Sequence, residues 1–226
     1  MKRHTATKTL ITTCGLALLS TFAAHAQVTP FYLKADAGGA WTPDTHLKEF
    51  FGENTTGVKV AFDPGYRVGL VAGYQVTDWF ATEFETGVTA NRIRSITDAA
   101  VHDAMLSNVP FLLNVRLQCP ALVRFWPCPY IGGGLGGSAA VIDADHIDFG
   151  LTRMHGSQSD AVFAYQAFGG LRCNLNDHLG LSLEYHYFAT TDPGWKADST
   201  TFTGGDRMRF GGTGTHSVSL AVEYRF

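Results

Sequence analysis

The chain has 226 residues, 45% of them hydrophobic and 16% charged, and 17 Lys+Arg against 20 Asp+Glu give a formal charge of −3. That balance leaves no electrostatic case for nucleic-acid binding, and the length fits one domain a little larger than average. Beyond the N-terminal leader no apolar run approaches the roughly 18 residues of a membrane helix, so hydropathy alone reads as soluble.

Residues 1–26 are expected to be a cleaved Sec signal peptide. Lys2, Arg3 and Lys8 form its basic start, Thr9 to Ala24 carries no charge as the signal helix, and Ala24-His25-Ala26 is a small-x-small cleavage site before Gln27. Cys14 lies in the middle of the apolar run behind Thr12 and Thr13, which is the wrong setting for a lipid anchor. Cleavage leaves 14 basic groups (17 − 3) against 20 acidic ones, a formal charge of −6, and a mature domain of residues 27–226.

From there to the end the organisation is period 2, the signature of strands with one apolar and one polar face. "FYLKADAGGAW" sets Phe31, Leu33, Ala35, Ala37 and Trp41 against Lys34 and Asp36. "YRVGLVAGYQV" sets Tyr66, Val68, Leu70, Ala72, Tyr74 and Val76 against Arg67 and Gln75. "FATEFETGV" opposes Phe80, Phe84 and Val88 to Glu83 and Glu85, and "VPFLLNVRL" opposes Val109, Phe111, Leu113, Val115 and Leu117 to Asn114 and Arg116. "YIGGGLGGSAAV" is too rich in glycine to assign its faces. "FAYQAFGGLRC" and "LGLSLEYHYF" put Gln166, Arg172, Ser182, Glu184 and His186 on the polar side. The terminal "HSVSLAVEYRF" does the same with Glu223 and Arg225.

The connections between these eight segments alternate in length. Those at Thr77-Asp78, Gln118 to Pro129 and Asn174 to His178 are short to moderate, while Thr42 to Gly65, Ala90 to Ser107, Ile142 to Asp160 and Ala189 to Thr215 are long and polar. This predicts an all-β fold, an eight-stranded antiparallel up-and-down transmembrane β-barrel with short periplasmic turns and four long extracellular loops. In a membrane barrel the apolar parity faces lipid and the polar parity turns inward. Lys34, Asp36, Arg67, Glu83, Glu85, Arg116, Arg172, Glu184, His186, Glu223 and Arg225 are therefore the candidate interior charge network. The reverse orientation would cost about 2–4 kcal/mol for each Arg or Lys near the bilayer midplane.

Aromatics sort to the two strand ends as two interfaces demand. Phe31, Tyr74, Trp79, Phe80, Tyr130, Tyr224 and Phe226 fall at the periplasmic rim, and Trp41, Tyr66, Phe163, Tyr165, Tyr185 and Tyr187 at the outer one. The last strand must pair with the first to leave no open edge in lipid, and Tyr224 and Phe226 are the candidate C-terminal insertion signal.

The leader, the ending "HSVSLAVEYRF", "VPFLLNVRL" followed by "PYIGGGLGG", and "FAYQAFGGLRCNLNDHLGLSLEYHYF" resemble small outer-membrane β-barrel proteins of the OmpA/OmpX/opacity-protein kind over residues 30 to 226. Those motifs speak for fold and address and say little about activity; His186 departs from the resemblance, since such proteins often carry an Arg in that Tyr-x-Tyr setting. The resemblance implies outer-membrane lipid and lipopolysaccharide as surroundings, the barrel assembly machinery as a partner, a monomer, and adhesion or surface defence through the loops.

Eight strands enclose only side chains, so a salt-bridged plug is expected instead of an open channel. Transport of small solutes through a narrow or gated barrel is the alternative function. An enzyme acting on outer-membrane lipid is the weaker one: His216 and Ser217 are adjacent and so face opposite ways, and His155 with Ser157 has no third group. No cofactor or metal is expected; Asp143, Asp145, His146, Asp148 and His155 lack the glycine and terminal Glu of a calcium loop. Cys119 and Cys128 are a candidate disulfide within one periplasmic connection, with Cys173 as a competing partner. "PDTHLKEFFG" predicts a short amphipathic helix whose Leu47, Phe50 and Phe51 cover the barrel mouth.

Overall fold

The computed structural model describes residues 30–50, 53–119, 127–148, 152–196, 198–199 and 207–226. The leader, Cys14 and Phe51 lie outside the described residues. In chain order the strands are β1 (Phe31–Trp41), β2 (Thr45–Phe50), β3 (Glu53–Asn54), β4 (Lys59–Phe62), β5 (Gly65–Thr77), β6 (Phe80–Ile96) and β7 (Ala100–Gln118). They continue as β8 (Cys128–Asp148), β9 (Thr152–Asn174), β10 (Leu179–Thr190), β11 (Gly194–Lys196), β12 (Asp198–Ser199), β13 (Arg207–Phe210) and β14 (Gly214–Arg225).

Eight of them form a closed antiparallel ring in the order β1, β5, β6, β7, β8, β9, β10, β14 and back to β1. The closing ladder runs from Tyr32 opposite Arg225 to Trp41 opposite His216. Closure leaves the wall without an edge, which is the condition for backbone to cross hydrocarbon. On the periplasmic side β5 and β6 join through Asp78-Trp79, and β9 and β10 through residues 175–178, where Asn176 Oδ1 accepts from the amides of His178 (2.9 Å) and Leu179 (2.7 Å). That is the side-chain turn asparagine favours.

The wall is turned inside out relative to a soluble barrel. Leu220 (70% exposed), Leu113 (68%) and Ile131 (65%) point outward, while Lys34, Arg67, Arg116 and Glu184 on the other parity are at most 2% exposed. Phe226 follows the last ladder pair with its amide bonded to the Phe31 carbonyl (3.3 Å) and its ring edge-on to Tyr224 (5.2 Å). Deleting Phe226 is expected to reduce membrane insertion far more than any single loop substitution, read as the folded fraction in outer-membrane preparations; normal surface levels would contradict this role for the terminus.

Above the outer aromatic level the structure departs from the long loops expected there. Residues 90–107 are β6 and β7 running on to a tight turn at Thr97-Asp98, with Asp98 at φ 60°, a conformation aspartate tolerates. Residues 142–148 and 152–160 likewise continue β8 and β9, which pair with one another to Asp148 opposite Arg153. The predicted helix over "PDTHLKEFFG" is strand β2 instead. As a strand it turns Leu47 inward (2% exposed) and His46 and Lys48 outward, and its backbone is paired on both sides, with β4 and β13.

These short strands build a second enclosure on top of the first. The sheet leaves the ring at β6 and passes through β4, β2 and β13 to β11. There the Gly194 amide reaches Asp160 Oδ2 on β9 (2.8 Å) and β12 pairs with β9 directly. With β7 and β8 between β6 and β9, residues of the first and last long connections complete a wall around the mouth.

Candidate functional site

The barrel interior is the candidate site, and strand parity sets it out in tiers. Nearest the periplasm, Arg116 on β7 lies between Glu223 (2.9 Å) and Glu83 (3.3 Å), its guanidinium 4.6 Å above the Tyr32 ring. Glu223 also holds Arg172 (2.9 Å) and Arg225 (3.0 Å), and the Tyr32 hydroxyl donates to Glu83 (2.6 Å). Next comes Glu184, which receives Lys34 (3.0 Å), His186 Nε2 (2.9 Å), the Ser182 hydroxyl (3.0 Å) and the Tyr130 hydroxyl. Arg67 bridges Asp36 (2.9 Å) and Glu85, whose second oxygen accepts from Asn114 (2.7 Å) and Gln166. All of the candidate interior charges except Arg225 are 6% exposed or less; Arg225, its side chain 26% exposed, lies at the rim.

Nine charges buried together are tolerable because four cations and five carboxylates alternate in contact, with Arg225 at the rim as the fifth cation. Inward-facing glycines make the room. A Cβ at Gly73 would strike the Tyr32 ring and one at Gly132 the Phe168 ring, so large side chains lie against bare backbone. Sequence parity pointed to the charges and not to three rings that complete the packing. Tyr130, assigned by sequence to the periplasmic girdle, is 4% exposed inside the barrel. Phe168 stacks on His186 (5.5 Å) and lies 5.5 Å from the Lys34 ammonium. Tyr32 shares the parity of Lys34, and that was its signal.

Going outward, the interior changes character. A polar collar of Thr42, Thr215 and Asn91 (Thr42 Oγ1 to Asn91 Oδ1 3.0 Å, to Thr215 Oγ1 2.7 Å) gives way to a buried apolar cluster. Leu47, Phe62, Ile93, Ile96, Leu106, Ile142, Ile147, Trp195, Met208 and Phe210 pack in it, from both the ring strands and the added wall. Trp195 lies edge-on to Phe210 (5.0 Å) and donates its indole N–H to the Ala140 carbonyl (3.2 Å). The same cylinder is thus polar inside within the membrane and apolar inside above it.

A clasp ties the first and last connections together. Lys48 Nζ contacts both oxygens of Asp192 (2.9 and 2.8 Å), which also accepts from the Gly212 amide (2.7 Å). Partial burial would raise the Asp192 carboxyl, but Lys48 and the Gly212 amide outweigh it and hold it below the usual aspartate range. A lowered carboxyl stabilises the folded clasp above the ordinary aspartate pKa and loses that contribution as pH falls through the folded value. Limited proteolysis of the extracellular section is therefore expected to speed up only as pH falls below the ordinary aspartate value of about 3.9, and Asp192→Asn is expected to remove that pH dependence.

The structure holds Cys119, Cys128 and Cys173 as free thiols, so the Cys119–Cys128 disulfide is not formed. The wall explains it. Cys119, one residue past the end of β7, is exposed, whereas Cys128 on β8 is buried on the interior side. The prediction is three titratable thiols per mature chain after denaturation without reductant; a count of one would restore the disulfide. Among the described residues no group of three His, Cys, Asp or Glu is placed to hold a metal, and Asp143 and Asp145 are exposed along β8 instead of facing one another across a loop. His216 and Ser217 do face opposite ways, with Ser217 buried at 2%.

A closed β-cylinder with a lipid-facing apolar belt and an ion-paired interior defines an integral β-barrel membrane protein. Residues 13–226 match the profile of the outer membrane protein beta-barrel domain, and the chain belongs to that family. Its fold is similar to the crystal structure of Neisserial surface protein A, NspA (TM-score 0.52, 15% identity, 89% of this chain and 100% of that one). It is also similar to outer membrane protein OprG from Pseudomonas aeruginosa (TM-score 0.56, 11% identity, 89% of this chain and 99% of that one). No curated protein matches the chain.

Proposed function

We propose that this protein is a non-conducting, non-catalytic outer-membrane barrel that reinforces the envelope and displays a rigid extracellular section for surface interaction. The observation that carries this reading is the filled axis. Tiers of paired charges occupy the membrane section, and packed aliphatic and aromatic side chains occupy the section above it. Water and ions have no continuous polar route through such a stack, because the upper tier would have to be wetted at the expense of a packed apolar core. The rigid upper wall then serves recognition, with specificity residing in its outward side chains. Lipopolysaccharide around the outer girdle and the assembly machinery that inserts the barrel are its expected partners.

Recording from planar bilayers containing the purified mature chain tests the proposal. Electrical silence over the full voltage range is the expected result; stable, reproducible openings would replace it with small-solute transport. Release of fatty acid from outer-membrane lipid by the same preparation would overturn the non-catalytic part.

A further inference from the structure

The outward face of the barrel is not evenly bulky. Two neighbouring rungs of the lipid-facing wall cross β1, β5, β6 and β7 on the periplasmic half: Leu33, Ala72, Phe84 and Leu113, then Phe31, Tyr74, Thr82 and Val115. In both rungs large side chains stand on either side of a small one, Ala72 in the first and Thr82 in the second, and the two lie diagonally adjacent. The result is a depression of about 930 Å³ walled by Phe31, Tyr74, Phe84, Leu113 and Val115, with Phe226 at its rim. Its periplasmic side is held by the edge-on pair of Phe31 and Tyr74 (4.9 Å). The volume is in the range of ligand pockets, roughly 300–1,000 Å³.

We propose that this groove is a binding site for one phospholipid of the periplasmic leaflet, its acyl chain lying over Ala72 and Thr82 and its headgroup at the level of Phe31, Tyr74 and Phe226. Three features select this occupant. The groove is continuous with the apolar belt, so hydrocarbon is what faces it. Its exposed lining is predominantly apolar, with Thr82 and Tyr74 as hydroxyl-bearing side chains on the two rungs, which suits a methylene chain better than a sugar. It opens beside the periplasmic aromatics, at the level of the leaflet opposite the extracellular face. Flanking rings make the site stiff, so an enclosed chain gives up contacts on three sides when it leaves, whereas a chain on the smooth wall gives up one. The inference is independent of whether the barrel conducts.

Native mass spectrometry of the mature chain, extracted in mild detergent after exposure to phosphatidylethanolamine vesicles, tests it. One phospholipid is expected to stay bound per barrel, and lipid A presented in the same way is not expected to displace it. Ala72→Phe, which fills the floor, is expected to lower retention about tenfold, the effect of losing roughly two methylene contacts. Leu220→Phe, on the wall at β14, is expected to leave retention unchanged. Heat-modified gel mobility of both variants shows that each barrel is folded, and Thr82→Leu gives a second filling variant should Ala72→Phe fail to fold. Equal retention in the filled and unfilled barrels, preferential retention of lipid A, or a dimer that dissociates on filling the groove would each overturn the assignment.

Discussion

Arg116→Ala is expected to destabilise the barrel by about 3–5 kcal/mol, the cost of breaking a buried ion pair from one side. Arg116 is 1% exposed and stands between Glu83 and Glu223, with Tyr32 beneath it. Among the described residues its removal leaves Glu83 the Tyr32 hydroxyl as hydrogen-bond partner and the more distant charge of Lys34, and asks Arg172 and Arg225 to neutralise Glu223. Such a loss exceeds what a surface charge gives, because neither carboxylate can recover hydration inside the cylinder. Urea unfolding of the barrel in lipid vesicles measures it. The double variant Arg116→Ala with Glu223→Ala should lose less than the sum of the single changes, because the two side chains share one interaction. A single variant within experimental error of the parent protein would mean that the interior is well hydrated and the plug is loose.

Trp195→Ala is expected to cost about 3–5 kcal/mol as well, but to spend it elsewhere. Trp195 is 2% exposed, packs edge-on to Phe210 and holds the Ala140 carbonyl, so it joins the added wall to β8 across the apolar cluster. Truncation opens a cavity in a core that belongs to the extracellular section alone. None of the charged residues of the tiers below is a member of that core. The expected result is rapid cleavage by protease added from outside, with the membrane section still migrating as a folded barrel. If that variant remains as resistant as the parent, the upper enclosure is not an independently loosened unit. Because the ion-paired tiers stay in place, the variant should remain electrically silent, which separates the two closures experimentally.

The two results bear on function in different ways. A barrel whose plug is lost and whose insertion suffers is a structural element of the envelope. A barrel whose upper enclosure is lost while insertion is normal would lose surface interaction selectively, since outward groups such as Arg92, Arg94 and Asp103 are positioned by that wall. Comparing the two variants for cell-surface phenotypes therefore discriminates reinforcement from recognition.

Much of the membrane section could be read directly from the sequence. A strand alternates its side chains with a period of two, so parity along "YRVGLVAGYQV" or "LGLSLEYHYF" is a local property, and one charged parity in lipid would be too costly to consider. The eight crossings, their inward charges and the closing of β14 on β1 follow from that reasoning, and the structure has them in those places. Which charge meets which was beyond it: Lys34 and Glu184 are 150 residues apart in the chain. Tyr130 shows the limit of composition, since a tyrosine near a strand end serves either the interface or, where a glycine opposite makes room, the interior.

Only the tertiary structure decided the extracellular half. Residues 42–65 and 189–215 are polar on average and broken by glycine and proline, so locally they read as loops, and a β-strand of four or six residues has no stability alone. Leu47, Trp195, Met208 and Phe210 become a core because β2, β4, β11 and β13 pair across long stretches of chain and meet the prolonged β6 to β9. Strand direction and wall polarity are fixed by neighbouring residues and by the solvent they face. The second enclosure is fixed by non-local register, which no window of the sequence contains.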